Sequence, residues 1–119
     1  MFLQLSHTKL DVFQVSKQLA LECYRVTKSF PSEEKFAIVQ QIRRAALSVH
    51  LNIAEGCSRT SPIERKRFFE ISRGSVIEID TALDVTTCLK YCNHEELSKL
   101  GELIIRTFKI LSGMMGTRS

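Results

Sequence analysis

Proline and glycine are scarce, at two and five among 119 residues. So small a supply of turn formers argues against a loop-rich or all-β chain, which would need many tight reversals. Long apolar runs are missing too. No stretch approaches the ~18 apolar residues that cross a bilayer, which predicts no membrane role. The opening Met1-Phe2-Leu3-Gln4-Leu5 is too short for a secretion signal and lacks its basic start. Cysteine is limited to Cys23, Cys57, Cys88 and Cys92. Without an export signal the expected compartment is the reducing cytoplasm, where thiols stay free. What is present is ordinary for a globular protein: 44% hydrophobic and 25% charged residues exclude disorder and a fibrous repeat. The length predicts one domain, residues 1–119.

The apolar residues recur at spacings of three, four and seven, the helical period. Four segments follow, at 9–29, 33–57, 62–91 and 94–113. Phe30-Pro31 closes the first, because a residue before proline is pushed out of the helical region. Ser32 with Glu33 and Glu34 reads as the start of the second, and Gly56 as the beginning of its end. Ser61-Pro62-Ile63-Glu64 is a capping signal for the third, and Asn93 with Glu96 for the fourth. In the third segment one apolar face holds Phe68, Ile71, Ser75, Ile79, Ala82, Thr86 and Leu89, and a second holds Phe69, Val76 and Leu83. In the fourth, Leu97, Leu100, Ile104, Phe108, Leu111 and Met115 form the inward stripe. Short connections between amphipathic helices predict an all-α, antiparallel up-down-up-down four-helix bundle. Two apolar stripes on one helix exceed what a single core needs, which predicts self-association.

Charge is uneven. The chain carries 17 Lys and Arg against 13 Asp and Glu, a net +4. Within the third segment Arg65, Lys66, Arg67 and Arg73 outnumber Glu64 and Glu70, whereas Glu78, Asp80 and Asp84 face only Lys90. On the second segment Gln41, Arg44, Ser48, Asn52, Glu55 and Arg59 fall in one polar row at 100° per residue. With Ser75 and Glu78 opposite, the row Gln41, Ser48, Asn52 and Glu55 suits an interhelical network. A ligand contact and a subunit contact remain the alternatives. Arg43 points about 100° away from Arg44, toward solvent or an interface.

Nothing in the sequence points to catalysis. His7, His50 and His94 are isolated, no glycine-rich phosphate loop exists, and the paired carboxylate–histidine motifs of di-iron bundles are absent. Cys88, Cys92 and His94 lie close in sequence, but zinc sites need paired short spacings. Buried, inert cysteine is the better reading. The chain is therefore read as not an enzyme, with no catalytic residue, cofactor or metal.

One long run is distinctive: Phe30-Pro31-x-x-Glu34-Lys35-Phe36, then Gln41-Ile42-Arg43-Arg44-Ala45-Ala46-x-Ser48-Val49-x-x-Asn52-Ile53-Ala54-Glu55-Gly56, Ser58-Arg59, and Phe68-x-x-Ile71-Ser72-Arg73-Gly74-Ser75-x-x-Glu78. It resembles the bacterial four-helix-bundle family encoded within intervening sequences of 23S ribosomal RNA genes, well over about residues 10–91 and more loosely beyond. The resemblance implies a homopentamer. It also implies kinship with the accessory protein of diversity-generating retroelements, a basic pentameric barrel that binds nucleic acid and a reverse transcriptase. By that analogy the partners are further copies of the chain, RNA or DNA, and a reverse transcriptase or another protein. The candidate nucleic-acid contacts are Arg43, Arg44, Arg59, Arg65, Lys66, Arg67 and Arg73. The alternative is a protein-interaction scaffold with no nucleic-acid role. The chain departs from the family pattern at three places: Phe13 stands where Trp is common, His50 where Pro is common, and Cys57 where an aromatic is common. The His50 change restores a backbone donor and is expected to straighten the second helix.

Overall fold

The computed structural model describes residues 2–116. Four α-helices account for most of them: α1 Asp11–Thr27, α2 Ile38–Ser58, α3 Pro62–Cys88 and α4 Ser98–Met114. One-turn 3-10 helices precede α1 (Ser6–Lys9) and α2 (Ser32–Glu34), and no strand occurs among the described residues. α1 packs on α2 and α4, and α3 packs on α2 and α4. One apolar cluster draws on all four helices, with Leu19, Ile42, Ile53, Ile79, Leu100 and Leu111 fully buried. Among the described residues every buried side-chain nitrogen or oxygen has a hydrogen-bond partner. Among the described residues no helix is long and apolar enough to cross a membrane.

Several boundaries and faces differ from expectation. The second helix starts only at Ile38. Ser32, Glu33 and Glu34 instead form a separate turn, closed by Glu34 N donating to Pro31 O at 2.9 Å, and Ala37 breaks the helical path with φ −120° and ψ −107°. Gly56 does not end α2, which continues to Ser58. Its role is spatial: a Cβ there would lie 2.6 Å from Cε1 of Phe69, so its absence lets α3 approach. The Ser61 cap forms as read, Glu64 N donating to its hydroxyl at 3.4 Å with Pro62 in the first turn. Asn93 and Glu96 cap each other reciprocally at 2.9 and 3.1 Å, although regular helix begins only at Ser98. α3 ends at Cys88, and Lys90 takes a left-handed φ of 64°.

On α3 the inward face is Phe69, Ser72, Ser75, Val76, Ile79, Leu83 and Thr86. Of the two apolar faces, the one with Phe69, Val76 and Leu83 is buried, whereas Ile71 and Leu89 of the other are exposed. On α4 Leu97 and Phe108 are only half-buried, and Thr107 and Ser112 sit inside. Gly113 lies within α4, and the tail expected to fray, 117–119, lies outside the described residues.

Two of the three departures from the family pattern meet. The rings of Phe13 and His50 stack with centroids 4.3 Å apart, and His50 Nδ1 hydrogen-bonds Ser16 Oγ at 2.7 Å. α2 runs unbroken through His50.

Candidate nucleic-acid interface

The connection from α2 to α3 is only Arg59–Ser61 and is built by its own cations. A helix C-terminus leaves carbonyls without partners. Arg65 reaches back from the first turn of α3 and donates from Nη1 to Cys57 O at 2.9 Å and Arg59 O at 3.1 Å. That places a positive charge on the negative end of the α2 dipole. The guanidinium also lies 5.7 Å from the Phe69 ring centroid. Arg59 pairs with Glu55 at 3.1 Å and covers the Phe68 ring at 5.0 Å. Lys66 and Arg67 project into solvent on the next turn. Burial pushes the neighbouring Cys57 thiol up from its ordinary value, and Arg65 opposes that shift.

The other candidate cations lie elsewhere. Arg43 is not exposed: it inserts between α1 and α2, donating to Thr27 Oγ1 at 2.9 Å and to Tyr24 O at 3.3 Å, with the Tyr24 ring 4.7 Å away. Arg73 turns toward α4, donating to Ser112 Oγ at 3.0 Å and lying 5.6 Å from the Phe108 ring. Arg44 is exposed, but it lies fifteen positions before Arg59, about 22 Å along the helix. The structure thus gathers Arg59, Arg65, Lys66 and Arg67 at one corner and leaves Arg43, Arg44 and Arg73 outside it.

The polar row on α2 meets α3 as an interhelical network. Gln41 Nε2 donates to Glu78 Oε2 at 2.5 Å, Ser75 Oγ to Ser48 Oγ at 2.8 Å, and Asn52 Nδ2 to the same Ser48 hydroxyl at 3.1 Å. Asn52 and Glu55 do not cross to α3: Asn52 bonds only Ser48 on its own helix, and Glu55 pairs with Arg59 just past the end of α2. Ser72 adds a buried tie to Val49 O at 2.7 Å that the sequence reading missed. Ser72 lies beside the first apolar face, and nothing in the pattern marked it as a donor to another helix.

Residues 8–113 match the family described as 23S rRNA-intervening sequence protein. The chain belongs to that family. Among solved structures it is similar to a protein of unknown function from the S23 ribosomal protein family of Bacteroides thetaiotaomicron, with a TM-score of 0.79 and 19% identity over 89% of this chain and 99% of that one. At that identity the likeness speaks for the fold alone. No curated protein matches.

This member of the 23S rRNA-intervening sequence family does not treat its cysteines alike. Cys23 and Cys92 are buried, Cys57 is half-buried, and Cys88 is exposed, contrary to the expectation of uniform burial. Burial pushes the Cys23 thiol up to about 12. Cys88 and Cys92 share no helix face, because α3 ends at Cys88 and the chain turns at Lys90. Cys92 instead lies 3.4 Å from Thr86 Oγ1. Among the described residues no three His, Cys, Asp or Glu side chains converge as metal ligands.

A second surface feature lies on the far side of α3. A groove of about 610 Å³ runs between α3 and α4, with Leu83 and Ile104 in its floor and Asp80, Asp84 and Glu102 on its rim. The acidic end of α3 was legible, but Glu102 and Gly101, which meet it from α4, were not singled out.

Proposed function

We propose that the chain is a non-enzymatic, cytoplasmic, homo-oligomeric module that grips nucleic acid through the α2–α3 corner. Each copy is an antiparallel up-down-up-down bundle forming a single domain. That topology puts the first and third connections at one end, and their side chains do meet: Tyr91 Oη donates to Glu34 Oε2 at 2.8 Å, and the Phe30 and Tyr91 rings stand 5.7 Å apart. Self-association, as a pentamer, accounts for the outer apolar residues Leu47, Leu51, Ile63 and Ile71, which are exposed in the single copy.

The observation that carries the nucleic-acid reading is the division of labour at the corner. Arg65 builds the turn, so that Lys66 and Arg67 stand exposed on the helical turn that follows, beside Arg59. Phosphate binding by such groups is sequence-independent and weakens steeply with salt. Repetition around an oligomer multiplies a modest patch through effective concentration. The family's tie to 23S rRNA makes structured RNA the first probe, with duplex DNA beside it.

A mobility-shift titration of both at stepped salt tests the proposal. Retardation that falls with salt, and is lost in Lys66→Glu/Arg67→Glu while the thermal midpoint holds, is the expected result. No shift at low salt, or a shift indifferent to either change, overturns it. Light scattering checks the assembly, and a monomer across working concentrations removes the pentamer. A second reading, a protein-interaction scaffold, is favoured by the α3–α4 groove.

A further inference from the structure

We infer that the α3–α4 groove is a docking site for a cationic amphipathic helix of a partner protein. The inference deepens the scaffold reading and is independent of the nucleic-acid one, which concerns a different surface.

Three observations converge. First, the groove is long and apolar. A second hollow of about 310 Å³ shares Asp80, Ile104 and Ile105 with the first and carries it on to Phe108. From Leu97 to Phe108 the groove follows α4 for about 16 Å, roughly three helical turns. Its walls are the exposed side chains of Ile77 and Ile105, 51% and 57% accessible. Second, the groove is open because Gly101 has no side chain. A Cβ there would meet nothing within 4 Å, so no neighbour in the chain requires the glycine. Third, the charge on the rim opposes that of the molecule. The chain is +4 overall, yet Asp80, Asp84 and Glu102 line the rim, and none belongs to an ion pair among the described residues. Asp80 and Asp84 sit at i, i+4, where like charges repel along a helix. The one Lys or Arg in the lining, Lys109, stands toward one end.

These features select the occupant. The acidic rim repels phosphate, so neither nucleic acid nor an anionic lipid surface fits. The backbone groups of α3 and α4 are already paired within the helices, so an extended peptide would find no ladder to join. A helix brings its own backbone bonds satisfied. It can set apolar anchors at i, i+4 and i+7 against the floor while Lys or Arg on its flanks reach the three carboxylates. Exposed charge pairs add modest affinity and considerable selectivity.

The test uses a fluorescent helical peptide with Leu on one face and Lys on both flanks, read by anisotropy against the full chain. A control peptide replaces every Lys by Glu. Saturable binding of the Lys peptide alone is expected, weakened roughly tenfold in Asp80→Asn/Asp84→Asn/Glu102→Gln and abolished in Gly101→Leu. Gly101→Leu fills the groove without a clash at Cβ and favours helix, so it stays folded. Equal binding of the Glu peptide overturns the inference, as does undiminished binding to Gly101→Leu. So does a Gly101→Leu chain of lower oligomeric mass with no peptide bound by either form, which would assign the groove to a second copy. Lys66→Glu/Arg67→Glu leaves peptide binding unchanged, so failure here and failure of the nucleic-acid reading are told apart.

Discussion

The Phe69 ring occupies the space that a side chain on Gly56 would need, with Cε1 2.6 Å from the Cβ position. Both residues are buried, so the clash has no solvent to relax into. Alanine in place of that glycine gains about 1 kcal/mol in helix propensity and loses about 1–3 kcal/mol to overpacking. Gly56→Ala is expected to lower stability by about 1 kcal/mol. Pairing it with Phe69→Leu should recover part of the overpacking loss, which a denaturation double-mutant cycle measures. Additive effects would show that the ring moves aside freely.

Ser48 and Ser75 join α2 to α3 through hydroxyls 2.8 Å apart, and Asn52 leans on the same Ser48 oxygen. Removing one hydroxyl leaves the other short of a partner at a nearly dry interface, at about 1–2 kcal/mol. Removing both leaves less behind. Ser48→Ala and Ser75→Ala should therefore each destabilise, and the double variant should lose less than their sum. Strict additivity in urea denaturation would mean that the pair does not interact.

His50 sets a pH window. Burial beside Phe13 and Ser16 holds its imidazole below the ordinary histidine value of 6.5, and the positive charges of Lys17 and His7 push the same way. The unfolded chain then binds a proton that the folded chain resists, so stability rises with pH across the interval between the two values. It is complete above 6.5 and declines as pH falls toward the depressed value. Glu22, held below its ordinary value by Arg25, acts in a separate and more acid window, below 4.5. Thermal midpoints followed from neutral to mildly acid pH should drop in the native chain and flatten in His50→Asn. An equal drop in that variant would place the effect elsewhere.

Gly74 lies mid-helix on the outer side of α3, and a Cβ there would meet nothing within 4 Å. In a dilute single copy, Gly74→Ala should raise stability by about 0.5–1 kcal/mol. In the assembled form the same change should weaken association if this side is covered by another copy. Sedimentation and thermal melts at several concentrations separate the two effects, and a gain independent of concentration would exclude Gly74 from any subunit contact.

The number and approximate order of the helices were legible because their period repeats over many turns. The choice of face on α3 was not. Two apolar faces were visible, but periodicity alone does not say which one packs inward, and Ile71 proves exposed while Phe69, Val76 and Leu83 are buried. Leu89, at 50% exposed, lies one residue past the end of α3, where the helical phase no longer sets its direction. The start of α2 was misread because Ser32, Glu33 and Glu34 carry the composition of a helix start but serve a separate turn. At the candidate interface the sequence showed which residues are cationic but not which are free. An arginine stem is long enough to turn inward and stack on a ring, as Arg43 does on Tyr24 and Arg73 on Phe108. The interhelical network was legible because hydrogen-bonding residues recurred on one line of α2 and found complements on α3.

The hydrogen bond from Tyr91 to Glu34, with Phe30 against the Tyr91 ring, ties residues far apart along the chain into one clasp. Fraying at that pole is therefore a joint event: loosening the link after α1 also releases the link after α3. A protease that nicks one of these segments would expose the other to a second cut, and fragments would emerge in pairs rather than singly.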